Sequence, residues 1–497
     1  MTTFPQPFTS TVSHWQATNR GKSSLFNHNR DKKLPTDVVD YVVIGAGMAG
    51  ASMAYHLTRP GIADGKKVVV LEAKDVASGA TGRNGGHCAP YSFGAWTHLT
   101  TPLEEGGAGL TPQETLEVLD LEKRVLEYVT ETIEKEKWEV DFWRGEKLEV
   151  RRTEIAATQM ELSYAAWIEA RSASRLKDVK PEWEWIADAA EAQRISRIKG
   201  ATGCSKGPAG SLHPHKLATA FLKSALATGQ ADLYSWSPVQ KMTKNGEGIW
   251  DVDCGERGTL KTKEVIVCTN AHTGSLFKGT DIDEYLTPFQ GQAANVTPPP
   301  SYSGAAYLNN TYTIEDGPYL VATPHAGIVL GLHHKLAVDT GILEAKDVFG
   351  NADDSFVHPN AKAWLANYCK DSFADWGKEA PGEGGMRFWA GIQCATKNTL
   401  PLVGQVPGER YKGIWIAAGF HGHGMARIAL TTKYLAKLVT TGKWDAGLPL
   451  SFKITTQRLE DGKKAPPYIT DADKVGGVLG KVLGGLGYGG GVKSVAR

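Results

Sequence analysis

The chain has 497 residues, with 55 Lys and Arg against 54 Asp and Glu and a formal net charge of +1, a length that accommodates two or three domains with sizeable cores. That balance leaves no electrostatic footprint for nucleic acid, and Cys88, Cys204, Cys254, Cys268, Cys369 and Cys394 stand without a CxxC pair or zinc spacing, which fits free thiols in a reducing compartment and gives no metal site. No apolar run is long enough to span a bilayer or to act as a signal peptide, so an intracellular, cytoplasmic protein without a membrane span is expected.

Residues 1–36 are polar, lack periodicity and end in "DKKLPTD"; they read as an extended arm laid over the surface, outside the catalytic unit. The stretch "DYVVIGAGMAGASMAYHL" follows at 40–57, with Gly45, Gly47 and Gly50 at the spacing of a dinucleotide-binding turn. Spacing alone decides little in a chain with 56 Gly, and Gly485, Gly487 and Gly490 match it without a preceding strand. The first copy differs in context. A β-branched strand precedes it, small and apolar residues at helical steps follow it, and a second strand, "KKVVVLEA", ends in Glu72 about 20 residues on, where a carboxylate reaches a ribose hydroxyl. Gly45 allows the tight turn, Gly47 admits a pyrophosphate, Gly50 lets helix pack on strand, and the helix start favours the anion. Glu72 would repel a 2′-phosphate, so NADP is disfavoured, while NAD and FAD both fit at this point.

Directly after Glu72 stands "VASGATGRNGGHCAP" at 76–90. A glycine-dense loop with Arg83 and Asn84 sets backbone N–H groups and a cation against phosphate and ribityl oxygens, and the same composition also suits a surface loop. Residues 112–137 show apolar residues at three- and four-residue steps after a Pro, the pattern of a long amphipathic helix, and a second helical pattern spans 153–176. "SLHPHKLATAFLKSALATG", from 211, reads as a helix with Ser near its start, followed by short strands near 239–243, 249–253 and 260–268. Strand patterns return from "PFQGQAANVT" to "YLVATPHAGIVLGLHHK". Near the end, "GIWIAAGF" is a buried-strand pattern and "HGHGMARIALTTKYLAKLV" reads as a helix opened by two glycines. Beyond 474, glycines interrupt an apolar helical stripe, each at roughly 1 kcal/mol in a helix, so this tail orders only where it docks.

Four of these stretches, in order, resemble the D-amino-acid-oxidase-like superfamily of FAD-dependent oxidoreductases, and "GRNGG" is most similar to its gamma-glutamylputrescine oxidase branch. They are the dinucleotide motif with "LEA" and "SGATGRNGGH", then "KEVIVCTNAHTGSL" (263–276), "RFWAGIQCATKNTLPLVG" (387–404) and "GIWIAAGFHGHGMARIALTTKYLAKLV" (413–439). The resemblance implies FAD, and the missing cysteine near Gly391 leads us to expect it without a covalent bond. It assigns Gly45, Ala46, Gly47, Met48, Ala49, Glu72 and Ala73 to the adenosine half, with Gly50 in the same cofactor-binding turn and Val239 at the adenine. Ser78, Gly79, Arg83, Asn84, Gly85 and Gly86 fall to the pyrophosphate and ribityl chain. Thr269, Asn270 and Ala271 return the chain to the flavin, and Gly391, Gly419, Gly422, His423 and Gly424 pack on its ring.

The expected fold is therefore α/β: a discontinuous Rossmann-like FAD domain of three layers (ββα) over 37–98, 190–275 and 386–445, interleaved with an antiparallel-β substrate domain and helical cap over 99–189 and 276–385, then a C-terminal extension at 446–497. Two departures from the family stand out. The flavin-linking cysteine of monomeric sarcosine oxidases aligns near Gly391, with Cys394 offset and His87 as the other linkage option, and their oxygen-activating lysine on a Gly-x-Lys-x-Gly strand is absent from Gly327-Ile328-Val329-Leu330-Gly331. The implied activity is oxidation of a C–N bond of a small amine, electrons passing to oxygen or another acceptor; the alternatives are a carboxylate-bearing hydroxy or amino acid, or a flavin-bound protein without turnover. His423, His421 and Arg387 are the candidate catalytic residues. The two histidines equally fit capping or core roles, and Arg387 fits either a substrate carboxylate or a structural ion pair. Oligomeric state is not readable from the residues.

Overall fold

The β-branched run before the dinucleotide turn forms the strand Val39–Ile44 in the computed structural model, which describes residues 9–466 apart from Asp316 and Ala326. It lies inside a sheet ordered Leu402–Gln405, Ile414–Ala418, Thr259–Val267, Val39–Ile44, Val68–Leu71, Ala231–Tyr234. Leu402–Gln405 pairs antiparallel at one edge, and the remaining pairings along that order are parallel. Side chains alternate between the two faces of a strand. On one face Val43, Val68, Val70, Ile266 and Ala417 pack with the helices Met48–Leu57, Pro214–Leu226 and Ile428–Thr441. On the other, Val42, Ile44, Val69, Leu71, Val265 and Val267 pack with Trp250, Val252 and Leu260 of the antiparallel strands Trp250–Asp253 and Thr259–Val267. That is the expected three-layer ββα arrangement. The helices are pinned to one another by polar contacts as well: Ser52 Oγ and Thr432 Oγ1 are 2.6 Å apart, and His56 Nε2 lies 3.0 Å from the Ala429 carbonyl.

A second sheet runs Gly384–Thr396, Leu286–Thr297, Gly327–Leu332, Tyr319–Thr323, Asn310–Ile314, Trp143–Arg151, Gly203–Ser211, His87–Cys88. Only Asn310–Ile314 against Trp143–Arg151 is parallel among these pairings. Gly203–Ser211 and Gly384–Thr396 therefore join this sheet, although the sequence reading gives 190–275 and 386–445 to the nucleotide domain. "GCSKGPAGS" has none of the β-branched alternation that marks a strand, and a strand pattern does not name its partner.

The helix expected at 112–137 spans Pro112–Glu136, with Pro112 in its first turn and Thr111 and Glu114 closing a capping box. The one expected at 153–176 spans Glu154–Ser172. The helix from 211 starts at Pro214, and its cap is the His213 side chain, which accepts from the Lys216 N–H, in place of the expected Ser. The closing helix begins at Ile428, later than "HGHG", because Gly419, His421 and Gly422 take φ of +74°, +50° and +70°, which no helix admits.

Trp15 is fully buried and packs with Ala293, Val329 and Trp389, and Ser13 Oγ donates to the Gly82 carbonyl, so this part of the N-terminal arm is core and not a surface strap. A polar segment with a lone Trp carries no periodicity from which such docking can be read. The Gly-rich tail beyond 474 lies outside the described residues.

Candidate cofactor and substrate cavity

The dinucleotide turn is built around two glycines. Gly45 sits at φ +100°, where a Cβ would lie 2.8 Å from the Cys268 carbonyl of the neighbouring strand end, and a Cβ on Gly50 would lie 1.8 Å from the Gly45 carbonyl. Neither position accepts a side chain, and the helix Met48–Leu57 starts at Gly47, which has no side chain to cap it; Thr81 Oγ1 accepts the Met48 N–H at 2.7 Å, and the following N–H groups of the first turn are the ones that suit an anion. Glu72 is fixed beside it: Oε2 accepts from the Ala46 N–H at 2.7 Å and Oε1 from the Lys74 N–H at 2.9 Å. Burial raises its carboxyl above the ordinary value, against the pull of those two N–H groups.

From this turn a single cavity of about 950 Å³ runs through the molecule. Its wall contains Gly45, Gly47, Met48, Ala49, Glu72, Ala73, Ser78, Gly79, Arg83, Asn84, Gly85, Val239, Thr269, Asn270 and Ala271, and further along Gly391, His421, Gly422, His423 and Gly424. Ala46, Gly50, Gly86 and Gly419 stand behind the wall and shape it; Gly419, for instance, donates its N–H to Asn270 Oδ1 at 3.1 Å, tying the "CTNA" turn to the closing strand. Arg387 does not belong to the site: it is exposed on the strand Gly384–Thr396, opposite Asn295, and is absent from the cavity wall.

Arg83 lines the cavity, yet its guanidinium is engaged by protein. Nε donates to the Ser78 carbonyl (2.8 Å), Nη1 to Thr11 Oγ1 (3.0 Å) and the Ala390 carbonyl (2.7 Å), and Nη2 to the Thr11 carbonyl (2.7 Å). Asp354 completes the set at 3.3 Å. The cation expected against phosphate thus fastens the "GRNGG" loop to the N-terminal segment and the second sheet. The N–H groups of Gly45, Gly82 and Gly86 are taken by Leu71, Gly79 and Asn84, so those of the wall residues Gly47, Gly79 and Gly85 are the backbone donors that suit an elongated nucleotide.

Elsewhere on the cavity wall His423 stacks on Tyr91, ring centroids 3.7 Å apart and 8° between planes, and its Nε2 lies 3.0 Å from Glu122 Oε2. Glu122 comes from the long helix Pro112–Glu136, has no solvent exposure, and accepts Arg427 Nε at 2.7 Å and the Tyr91 N–H at 2.6 Å. Burial alone would raise its carboxyl; His423 and Arg427 outweigh that and hold it down at about 2. Burial also lowers His423, with Glu122 opposing. Burial holds His421 well below the ordinary imidazole value, with the cationic forms of His98 and Arg427 adding to it.

A third group of charges faces the same space from alternate positions of Trp143–Arg151. Lys147 Nζ lies 2.5 Å from Glu149 Oε1, Arg151 is 3.8 Å from Glu149 Oε2, and Ser92 Oγ donates to Glu149. All three line the cavity, two cations against one carboxylate. Burial would raise Glu149, and Lys147 and Arg151 more than offset it.

Sequence reasoning misses Glu122, Tyr91 and this charged strand. Glu122 does leave a trace, since it sits on the same helical stripe as Val118, Leu121, Val125 and Val129, where an acidic residue is out of place unless partnered. Nothing local announces Tyr91 or Lys147.

The fold and cavity together define a flavoprotein of the two-sheet oxidoreductase class. The FAD dependent oxidoreductase (DAO) family model matches residues 40–438, and the chain belongs to that family. FAD is accordingly its cofactor, and the resident glycine cradle fits it. A probable oxidoreductase, OrdL, of Haemophilus influenzae is 23% identical, over 83% of this chain and 86% of its own length. Glycine oxidase of Bacillus licheniformis is 21% identical over 80% and 92%. Among solved structures, glycine oxidase from Geobacillus kaustophilus superposes with a TM-score of 0.65 at 19% identity, covering 85% of this chain and 99% of that one. L-Proline dehydrogenase from P. horikoshii gives 0.64 at 20%, covering 86% and 99%. None of these comparisons singles out the gamma-glutamylputrescine oxidase branch. No helix among the described residues is long and apolar enough to cross a membrane.

Proposed function

We propose that this enzyme oxidises a C–N bond of a small amine or amino-acid-like substrate, which gives up a hydride from its α-carbon and leaves as an imine that hydrolyses. Bound FAD supplies the hydride acceptor; the chain's own groups bind, orient and move protons. The observation that carries this reading is the continuity of the cavity: one space joins the dinucleotide turn at Gly45 and Glu72 to a chamber bounded by His421, His423 and the Trp143–Arg151 strand. In that chamber the stacked His423 is the group we assign to the reacting amine. The resemblance to a glycine oxidase and an L-proline dehydrogenase supports C–N chemistry over other flavin reactions.

A second reading, in which the substrate carries a carboxylate, is favoured by Lys147 and Arg151, which outnumber Glu149 on the chamber wall. Arg387 has no part in it.

The deciding experiment is anaerobic mixing of the yellow holoprotein with glycine, N-methylglycine, L-proline, 1,4-diaminobutane or lactate. Bleaching by an amine supports the proposal, and the contrast between the amino acids and the diamine decides the carboxylate. Bleaching by lactate alone would move the activity to hydroxy acids. Flavin that stays oxidised with every compound would leave a flavin-bound protein without amine turnover.

A further inference from the structure

The His423 ring is held on two sides. Its plane is fixed by the stacked Tyr91, and its Nε2 is turned away from the cavity toward Glu122, which is fully buried and takes no part in the cavity wall. An ionised carboxylate only accepts, so this contact selects the tautomer with the proton on Nε2 and leaves the Nδ1 lone pair exposed. No described residue hydrogen-bonds that nitrogen, and the ring itself faces the chamber. Glu122 is in turn locked by the Tyr91 N–H and by Arg427. An imidazole whose far nitrogen is held by an oriented carboxylate is arranged as a proton acceptor.

We propose that Glu122 is a positioning residue that makes His423 Nδ1 the base for the substrate: it removes the proton from the incoming ammonium group so that the neutral amine can react. This rests on the C–N reading above. An N–H bond of the ammonium breaks, its electron pair stays on nitrogen, and the proton forms an Nδ1–H bond, giving imidazolium. Nothing is oxidised in this step. The lone pair released on nitrogen is what drives hydride out of the adjacent carbon, which an ammonium group has no means of doing.

The surroundings suit that task. Burial, Arg427 and Lys147 favour the neutral ring, as does repulsion from any charge on His421 or His87, whereas Glu122 favours the cation. The ring therefore meets its substrate neutral, and the cation it becomes is stabilised by the buried carboxylate.

The test begins without any amine. In ¹⁵N-histidine NMR of the FAD-loaded full-length protein, with the His423 signal identified by its loss in His423→Asn, we expect the Nε2–H tautomer and a bare Nδ1. In Glu122→Gln the His423 titration should move to lower pH by about one unit, a tenfold change in proton affinity. An Nδ1–H tautomer in the wild-type protein, or an unmoved titration in Glu122→Gln, would overturn the proposal. The wild-type spectrum decides the tautomer even if Glu122→Gln does not fold.

Stopped-flow reduction by the best bleaching amine gives the second readout. General-base action contributes roughly 10²- to 10⁴-fold, so Glu122→Gln with full FAD content should be slowed by about 10² near neutrality. It should recover as pH rises past the amine's own pKa, where substrate arrives already deprotonated. A loss equal at every pH would mark Glu122 as merely structural. If no amine reduces the wild-type protein, the C–N reading fails while the NMR result still stands on its own.

Discussion

Trp15 Nε1 donates a 2.6 Å hydrogen bond to the Asn84 carbonyl, which joins the beginning of the chain to the loop that lines the nucleotide cavity. The indole is also packed against Val329 and Trp389, and Trp389 Nε1 donates to the next carbonyl along, that of Arg83, at 2.7 Å. Two buried indoles thus grip consecutive peptide groups of one loop.

Trp15→Ala should therefore loosen the cofactor as well as the fold. Truncation of a buried Trp costs about 3–5 kcal/mol, and the Asn84 carbonyl would lose its partner. A lower Tm and faster release of FAD on dilution, followed by recovery of flavin fluorescence, are the expected results. Unchanged FAD release would show that the loop holds its shape without the N-terminal segment.

Stability should fall as the solution is made acidic, starting near the ordinary imidazole value. Burial lowers His56 to about 3, His213 to about 3, and His98, His215, His272 and His333 to about 4. Each of these rings binds a proton more readily unfolded than folded. Between about 6.5 and its folded-state value each one makes stability rise with pH and drop as pH falls, by up to about 1.4 kcal/mol per unit. Denaturant melts between pH 7.5 and 5 should show that loss, and His56→Gln should flatten it. His56 is the best single probe, because its Nε2 meets the Ala429 carbonyl across two helices of the nucleotide domain. An identical slope in His56→Gln would assign the acid sensitivity elsewhere.

Gly422→Ala should weaken FAD binding more than it weakens the fold. The residue is at φ +70°, and a Cβ there would lie 2.4 Å from Gln393 Oε1, the end of a side chain that also lines the cavity. The left-handed conformation costs a non-glycine residue roughly 1–2 kcal/mol, and the Gln393 side chain on the cavity wall must move to make room. A titration of apoprotein with FAD should show the affinity loss; equal affinity would mean that neither change reaches the ring.

Acid precipitation should leave the yellow colour in the supernatant. Cys394 is buried and absent from the cavity wall, Cys268 is on the wall, and burial pushes both thiols up to about 12, so neither is a thiolate available for attachment. His87 Nε2 is held by Thr311 Oγ1 at 2.7 Å. Colour retained in the pellet would contradict this.

What the sequence reveals and what it hides divides by distance along the chain. The Gly45–Glu72 unit is legible because turn, helix start and ribose carboxylate lie within one βαβ segment, and their demands on side-chain size are absolute. The long helix is legible down to its capping box for the same reason. The Glu122–His423 contact spans 301 residues and leaves no local pattern. Arg83 is found by its motif, but the direction of its guanidinium depends on Thr11, Asp354 and Ala390, three segments that no spacing rule connects. Arg387 is misplaced because strand alternation fixes which residues share a face without saying which face meets the cavity.

The docking of the N-terminal segment also sets an order of events during synthesis. Thr11 accepts from Arg83, donates its N–H to the Asp354 carbonyl at 2.8 Å, and uses its hydroxyl as acceptor for the Ala390 N–H at 3.1 Å. Thr11 therefore waits for partners that lie 343 and 379 residues further along the chain, whereas Ser13 and Trp15 find theirs at Gly82 and Asn84. Until Ala390 emerges, the contacts that Thr11 and Arg83 make with Asp354 and Ala390 cannot form, while those of Ser13 and Trp15 with the loop can. Nascent chains stalled before Ala390 should then be poor at retaining FAD, because one anchor of the cofactor loop is still to be made.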